Sequence, residues 1–142
     1  MAYVKQTWVD NSSIVDADKL NHIEDGIYEN SLSNDYSTSE INTGKTWIDG
    51  KPIYRKCFTG TTPTSGSVSK SIGTISNVET LIILTGMVHS PSYGYIPIPF
   101  NIDTGNNNKL YLTSSGNVTV ENTNSAYQNK DVIAIAEYTK SS

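Results

Sequence analysis

From Trp47 onward the chain is a succession of short β-like runs broken by turn residues, and this punctuation limits its possible folds more than any other feature. The sharpest turn signal is Asp49-Gly50. It lies between Trp47-Ile48 and the run that holds Ile53, Tyr54 and Phe58, with Pro52 ill suited to a helix. The pattern predicts a β-hairpin. Ser67–Ile72 alternates weakly. Val78–Val88, which includes Leu81, Ile82, Ile83 and Leu84, is the most apolar run. It predicts a central strand buried on both faces over part of its length. Tyr95, Ile96, Ile98 and Phe100 predict a further strand, and Pro97 and Pro99 confine it to an edge or a bulge because proline donates nothing to a ladder. Lys109–Thr113 and Asn117–Val120 flank the turn Ser114-Ser115-Gly116-Asn117, which predicts a second hairpin, and Asp131–Thr139 completes the set. About eight short strands at this spacing imply an antiparallel β-sandwich or jelly-roll-like domain. No βαβ alternation is present, so a nucleotide-binding α/β fold is excluded.

One segment has the other periodicity. Leu20, Ile23 and Ile27 recur at spacings of three and four, behind Asp16 as a candidate N-cap and Asp18 in the first turn. In heptad terms Leu20 and Ile27 occupy a positions, Ile23 a d position, and Asn30 the next d. Gly26 weakens such a helix by about 1 kcal/mol, and a short helix is marginal alone. The stripe therefore needs a cover, either the chain's own β-domain or other copies of the helix. The chain divides into a lead-in and helix over 1–32, a polar linker over 33–45 and a β-domain over 46–142.

Composition removes several functions. Charged residues make up 17% of the 142, with a net charge of −4, so nucleic acid, which needs clustered Lys and Arg, is not an expected partner. Arg55 and Lys56 alternate sides of a strand and form no patch. The single cysteine, Cys57, permits neither an intrachain disulfide nor a thiolate zinc cage, and beside Phe58 it reads as a small packed side chain. No apolar run long enough for membrane insertion and no signal peptide is evident, so synthesis in a cytoplasm is expected.

A search for catalytic chemistry returns little. His22 and His89 lie in different elements, and no metal-protease, phosphate-loop or nucleophile-elbow motif occurs. Three copies of His22 about an axis could hold an ion, although a rim histidine is the plainer reading. Asp103–Asn108 is rich in oxygen ligands but lacks the spacing and closing Glu of an EF-hand. Neither a metal nor a cofactor is expected. The better candidates are tyrosines. Tyr93 and Tyr95, in Ser90-Pro91-Ser92-Tyr93-Gly94-Tyr95, and Tyr127 with its neighbour Gln128, in Asn124–Asn129, read as exposed-loop residues. Aromatic faces stack on sugar rings while nearby amides and hydroxyls hydrogen-bond the sugar's edge, so these four predict a glycan site.

Three stretches also carry a resemblance. Thr46–Lys56, TWIDGKPIYRK, resembles the opening of a small β-domain near the C-terminus of tail fibre and receptor-binding proteins from phages and prophages of Gram-positive bacteria. Trp8-Val9-Asp10 and Ala17 through Ile27 are similar to a helix-opening segment of phage tail and baseplate proteins, and Ala134–Lys140 is similar to the "EYTK" ending of such fibre domains. The likeness covers both ends and the centre, while 60–130 match only loosely and receive no site residue from it. It implies a homotrimer whose stalk is the helix, with Leu20, Ile23, Ile27 and Asn30 at the trimer interface. It further implies a place in the virion, contact with other tail or baseplate proteins, and non-enzymatic adhesion to a host cell-surface glycan or polysaccharide. The alternatives are a purely structural fibre or baseplate connector and a glycan-degrading enzyme.

Overall fold

A computed structural model describes residues 17–32, 36–103 and 106–141. The protein is mainly β. One helix, α1 (Ala17–Leu32), precedes nine strands among the described residues. These are β1 (Ile41–Thr46), β2 (Pro52–Thr61), β3 (Ser69–Thr74), β4 (Val78–Ser90), β5 (Gly94–Ile98), β6 (Phe100–Asp103), β7 (Asn106–Leu112), β8 (Asn117–Asn122) and β9 (Asp131–Lys140). They form two antiparallel sheets, one in the order β1-β2-β9-β4-β5 and one in the order β3-β8-β7-β6.

Both sheets contribute to the apolar interior. Phe58, Ala134, Ala136 and Tyr138 from the first meet Val118 from the second, with Ile75 between them. Val88, Ile98 and Val132 meet Val120 and Tyr127 in a second cluster. The inward residues of β9, Val132, Ala134, Ala136 and Tyr138, follow the period of two that a pleated strand imposes. The small side chains at 134 and 136 leave room for the Phe58 ring on the neighbouring strand.

Both predicted hairpins are present. Asp49 and Gly50 lie in the turn between β1 and β2, where Gly50 has φ +83° and its N–H donates to Trp47 O at 2.9 Å. The first strand of that hairpin lies earlier than the sequence suggested. Trp47 and Ile48 belong to the turn, and the strand is Ile41–Thr46, within the stretch read as linker. Its residues are mostly polar and its placement comes from β2, with Thr43 Oγ1 donating to Ile53 O at 2.8 Å. Residues 113–116 join β7 to β8 as expected. The proline-bearing strand β5 is an edge of its sheet, also as expected. It is shorter than predicted, because the chain passes through Pro99 and enters the second sheet at Phe100, which opens β6.

Val78–Val88 is an interior strand of its sheet, as expected, with β9 on one side and β5 on the other. It is not buried on both faces: Ile83 and Met87 open on the side away from the core, and Leu81, paired with Tyr138 before a register shift, is 38% exposed. The helix runs through Asn30 to Leu32. Asp16 and the side chain of Asn30 lie outside what the structure describes. Among the described residues the stripe is largely exposed, Leu20 at 52%, Ile23 at 36% and Ile27 at 66%. No helix among the described residues is long and apolar enough to cross a membrane.

A polar cluster ties the last strand to the segment before β1. Glu40 accepts from the Tyr138 hydroxyl and from the Lys140 ammonium, each at 2.5 Å. Burial alone would raise the Glu40 carboxyl, but these two donors outweigh it and hold the group below its ordinary value of 4.5. Burial, then the Glu40 carboxylate, pushes the Tyr138 hydroxyl well above its ordinary value of 10.0. The signs fix two pH windows. The Glu40 contribution is complete above pH 4.5 and is lost as pH falls through the depressed folded value. The Tyr138 contribution is complete below pH 10.0 and is lost above it, since the unfolded chain ionises first. Thermal melts across pH are expected to show the acid-side fall flattened in Glu40→Gln and the alkaline fall flattened in Tyr138→Phe.

Candidate functional site

The aromatic site is built at the β4–β5 turn. Ser90 and Gly94 are paired across it, Tyr93 N–H donates to Ser90 O at 3.1 Å, and Gly94 takes φ +76° so that the chain can reverse. Ser90 is buried, whereas Pro91, Ser92 and Tyr93 stand in solvent. The exposed side chains therefore rise from a pinned base.

Two tyrosines are presented there, in different settings. Tyr93 is 64% exposed and its ring lies 5.8 Å from that of Tyr127, tilted by 53°. Tyr95 is 65% exposed and stacks on His89, with ring centroids 4.5 Å apart and an interplanar angle of 28°. Each exposed ring thus has an aromatic neighbour that fixes its orientation, which lowers the ordering cost of binding.

Tyr127 is not the exposed-loop residue that its polar neighbours suggested. It is 6% exposed and belongs to the core cluster of Val88, Ile98, Val120 and Val132. The reason is local. Asn124 caps a short 3-10 turn, Ser125–Tyr127, by accepting from Ala126 N–H at 2.9 Å, and Asn122 in turn accepts from Asn124 N–H at 2.8 Å. That turn directs the Tyr127 ring inward. Buried Thr62 holds the far side, donating to Tyr127 O at 2.5 Å and accepting from Lys130 N–H at 2.9 Å. Tyr127 therefore serves as the floor under Tyr93. Gln128, half-buried, follows on the same loop, and its N–H donates to Ser125 O at 3.3 Å.

Tyr95 lies on the outer face of the five-stranded sheet. The sheet register places Thr61, Asp131, His89 and Tyr95 side by side across four strands. Lys70 Nζ donates to Thr61 Oγ1 at 2.5 Å at the end of that row. The row offers a ring, an imidazole, a carboxylate and a hydroxyl in line, a set suited to the hydroxyls and apolar face of a sugar. Sequence reasoning did not group His89 and Asp131 with the tyrosines. The hairpin spacing that sets residue 89 opposite 95 carried the first pairing; the second depends on β9 lying next to β4, which no local pattern shows.

Three further carboxylates of the β-domain are paired with cations. Glu137 pairs with Arg55 at 2.8 Å, Glu121 with Lys109 at 3.0 Å and Glu79 with Lys51. Arg55 also lies under the Tyr36 ring at 4.8 Å, while Lys56 on the opposite face donates to Thr74 O at 3.0 Å, so the two cations are indeed on different sides of β2. Cys57 is half-buried on the outer face. Among the described residues no three His, Cys, Asp or Glu side chains gather as metal ligands. No family model, curated protein or solved structure matches the chain.

Proposed function

We propose that this chain is the tip of a phage or prophage tail fibre, a homotrimeric, non-enzymatic receptor-binding domain that adheres to a host cell-surface glycan. In this reading the two sheets form a sandwich of jelly-roll type, α1 is the trimeric stalk, and the protein resides in the virion in contact with other tail or baseplate proteins. The observation that carries the reading is the pair of solvent-facing tyrosines, Tyr93 and Tyr95, each backed by a second ring and mounted on a pinned hairpin turn. The motifs at Thr46–Lys56 and Ala134–Lys140 and the exposed heptad stripe point the same way. Three linked sites raise the avidity of individually weak sugar contacts by about 10²–10⁴.

The test is binding to host cells and to a glycan array. Tyr93→Ala and Tyr95→Ala are each expected to weaken binding about tenfold or more, since a stacking ring contributes roughly 1–3 kcal/mol by truncation. Melting temperature should stay within a few degrees of the unaltered protein, because both rings are exposed. Full binding by the doubly substituted protein would remove the tyrosine turn from the glycan site.

A further inference from the structure

Asp131 stands apart from the chain's paired glutamates. Glu40, Glu79, Glu121 and Glu137 each join an ion pair, whereas Asp131 is exposed and enters none of these pairs. Its register partners are Thr61 on β2 and His89 on β4, and the row points away from the core, since the next residues Val88 and Val132 are buried. Tyr95, opposite His89, extends the row, with its ring 4.5 Å from the imidazole. At the other end the Lys70 ammonium donates to Thr61 Oγ1 at 2.5 Å. A cation, a hydroxyl, a carboxylate, an imidazole and a phenol ring thus follow one another in a fixed order.

We propose that Asp131, with Lys70, makes this row specific for an uncharged oligosaccharide, one unit of which lies against Tyr95 while neighbouring hydroxyls of the next donate to the Asp131 carboxylate. The proposal rests on the glycan reading above and names the class of glycan. Hydrogen-bonding sense decides between the classes. An ammonium only donates, a carboxylate only accepts, and a hydroxyl does both. With Lys70 donating to its oxygen, Thr61 keeps its own O–H to donate onward, so the row passes from donors to the acceptor Asp131. An anionic ligand, such as a uronate, a sulfate ester or a phosphodiester, would satisfy Lys70 and set acceptor against acceptor at Asp131. A cationic amino sugar would satisfy Asp131 and set ammonium against ammonium at Lys70. A polyhydroxyl ligand turns a lone pair towards one and a proton towards the other. The charges of Lys70 and Asp131 also cancel, which leaves the pair with no net attraction for a charged polymer. Hydrogen bonds to an ionised acceptor are about twice as strong as neutral ones, which makes Asp131 the dominant polar contact of the row. Two strand spacings of about 4.8 Å separate Asp131 from Tyr95, so a disaccharide, one unit on the ring and the next at the carboxylate, suits the row.

The experiment sets neutral oligosaccharides against their uronate and sulfated forms on a glycan array, and measures adherence to host cells across salt. The unaltered protein is expected to bind a neutral oligosaccharide about tenfold or more tighter than its anionic form, because like charges set together are costly. Its adherence should change less than about twofold between about 0.05 M and about 0.5 M salt, since salt screens contacts between charges and this ligand carries none. Asp131→Asn keeps the size of the side chain but replaces one acceptor oxygen with a donor. It is expected to weaken neutral binding about tenfold or more and to shrink the neutral-to-anionic ratio by a similar factor, with the melting temperature unchanged. A merely structural role for Asp131 would lower both ligands alike and leave that ratio fixed. Binding lost in Tyr95→Ala but untouched in Asp131→Asn would overturn the role of Asp131 and leave the glycan site standing. Preference for the anionic form, or adherence that falls steeply with salt, would overturn the uncharged class, again with the glycan site intact. Failure of the unaltered protein to bind either the array or the cells would overturn the glycan reading and this proposal with it. The salt arm uses the unaltered protein, so it decides the ligand class even if a variant fails to fold.

Discussion

Gly116→Ala is expected to cost more than about 3 kcal/mol, enough to take a large share of the stability of a domain this size. Gly116 has φ +83°, and a Cβ there would lie 2.2 Å from the Ile75 carbonyl oxygen. The two backbones are already joined, Ile75 N–H donating to Gly116 O at 2.8 Å. The methyl cannot be accommodated by a flexible side chain, so the β7–β8 turn must separate from Ile75. That residue is 4% exposed and belongs to the core, and withdrawing it opens the contact between the sheets. Gly50→Ala supplies the control. Gly50 has the same φ of +83° but nothing within 4 Å of the added carbon. It should cost only the strain of the left-handed backbone, about 1–2 kcal/mol. Denaturant unfolding of the two variants side by side separates the clash from the strain. Equal losses would show that the Ile75 contact is readily relaxed.

Tyr127→Ala should remove about 3–5 kcal/mol of stability, because the ring fills a cluster with Val88, Ile98, Val120 and Val132. At about 4–8 °C per kcal/mol for a domain near 100 residues, the melting temperature should fall by about 12–40 °C. Tyr127→Phe keeps the ring and should keep most of that. In folded Tyr127→Ala only the part of glycan binding that comes from the oriented Tyr93 ring is expected to be lost. Binding measured well below the new melting temperature should resemble the unaltered protein more closely than Tyr93→Ala does. A small thermal effect with a large binding effect would return Tyr127 to the sugar site.

These two residues also show where sequence reading succeeds and where it stops. The turns at Asp49-Gly50 and Ser114–Asn117 were legible because turn chemistry is local: a few adjacent residues set the backbone angles. The edge position of Tyr95–Ile98 was legible because Pro97 cannot donate to a neighbouring strand on that side. The helix was legible from its 3.6-residue period. Tyr127 was misplaced because its immediate neighbours, Ser125, Ala126, Gln128 and Asn129, carry no sign of the inward direction that the Asn124 cap imposes. Strand β1 was missed because Ile41, Asn42, Thr43, Gly44, Lys45 and Thr46 have no apolar alternation, and their strand geometry is borrowed from β2. Val78–Val88 was read as doubly buried because an apolar run has the same appearance whether its second face is buried or, like that of Ile83 and Met87, exposed. His89 and Asp131 were not joined because their proximity depends on the order of strands far apart in sequence. Nearly all of the local geometry was in the residues; the neighbours of each strand were not.

The position of β9 has a consequence for how the molecule comes into being. Asp131–Lys140 pairs with β2 on one side and β4 on the other, and so holds the middle of its sheet, yet it is the last of the described strands to be synthesised. Until it leaves the ribosome, β2 and β4 have no bridge between them, and the apolar residues of both lie open along unpaired edges. Between the synthesis of β4 and that of β9 the nascent chain thus carries two adhesive strands, a period when pairing with a neighbouring nascent chain competes with pairing in its own sheet. Rapid synthesis of residues 91–140 shortens that period and favours pairing within the chain's own sheet.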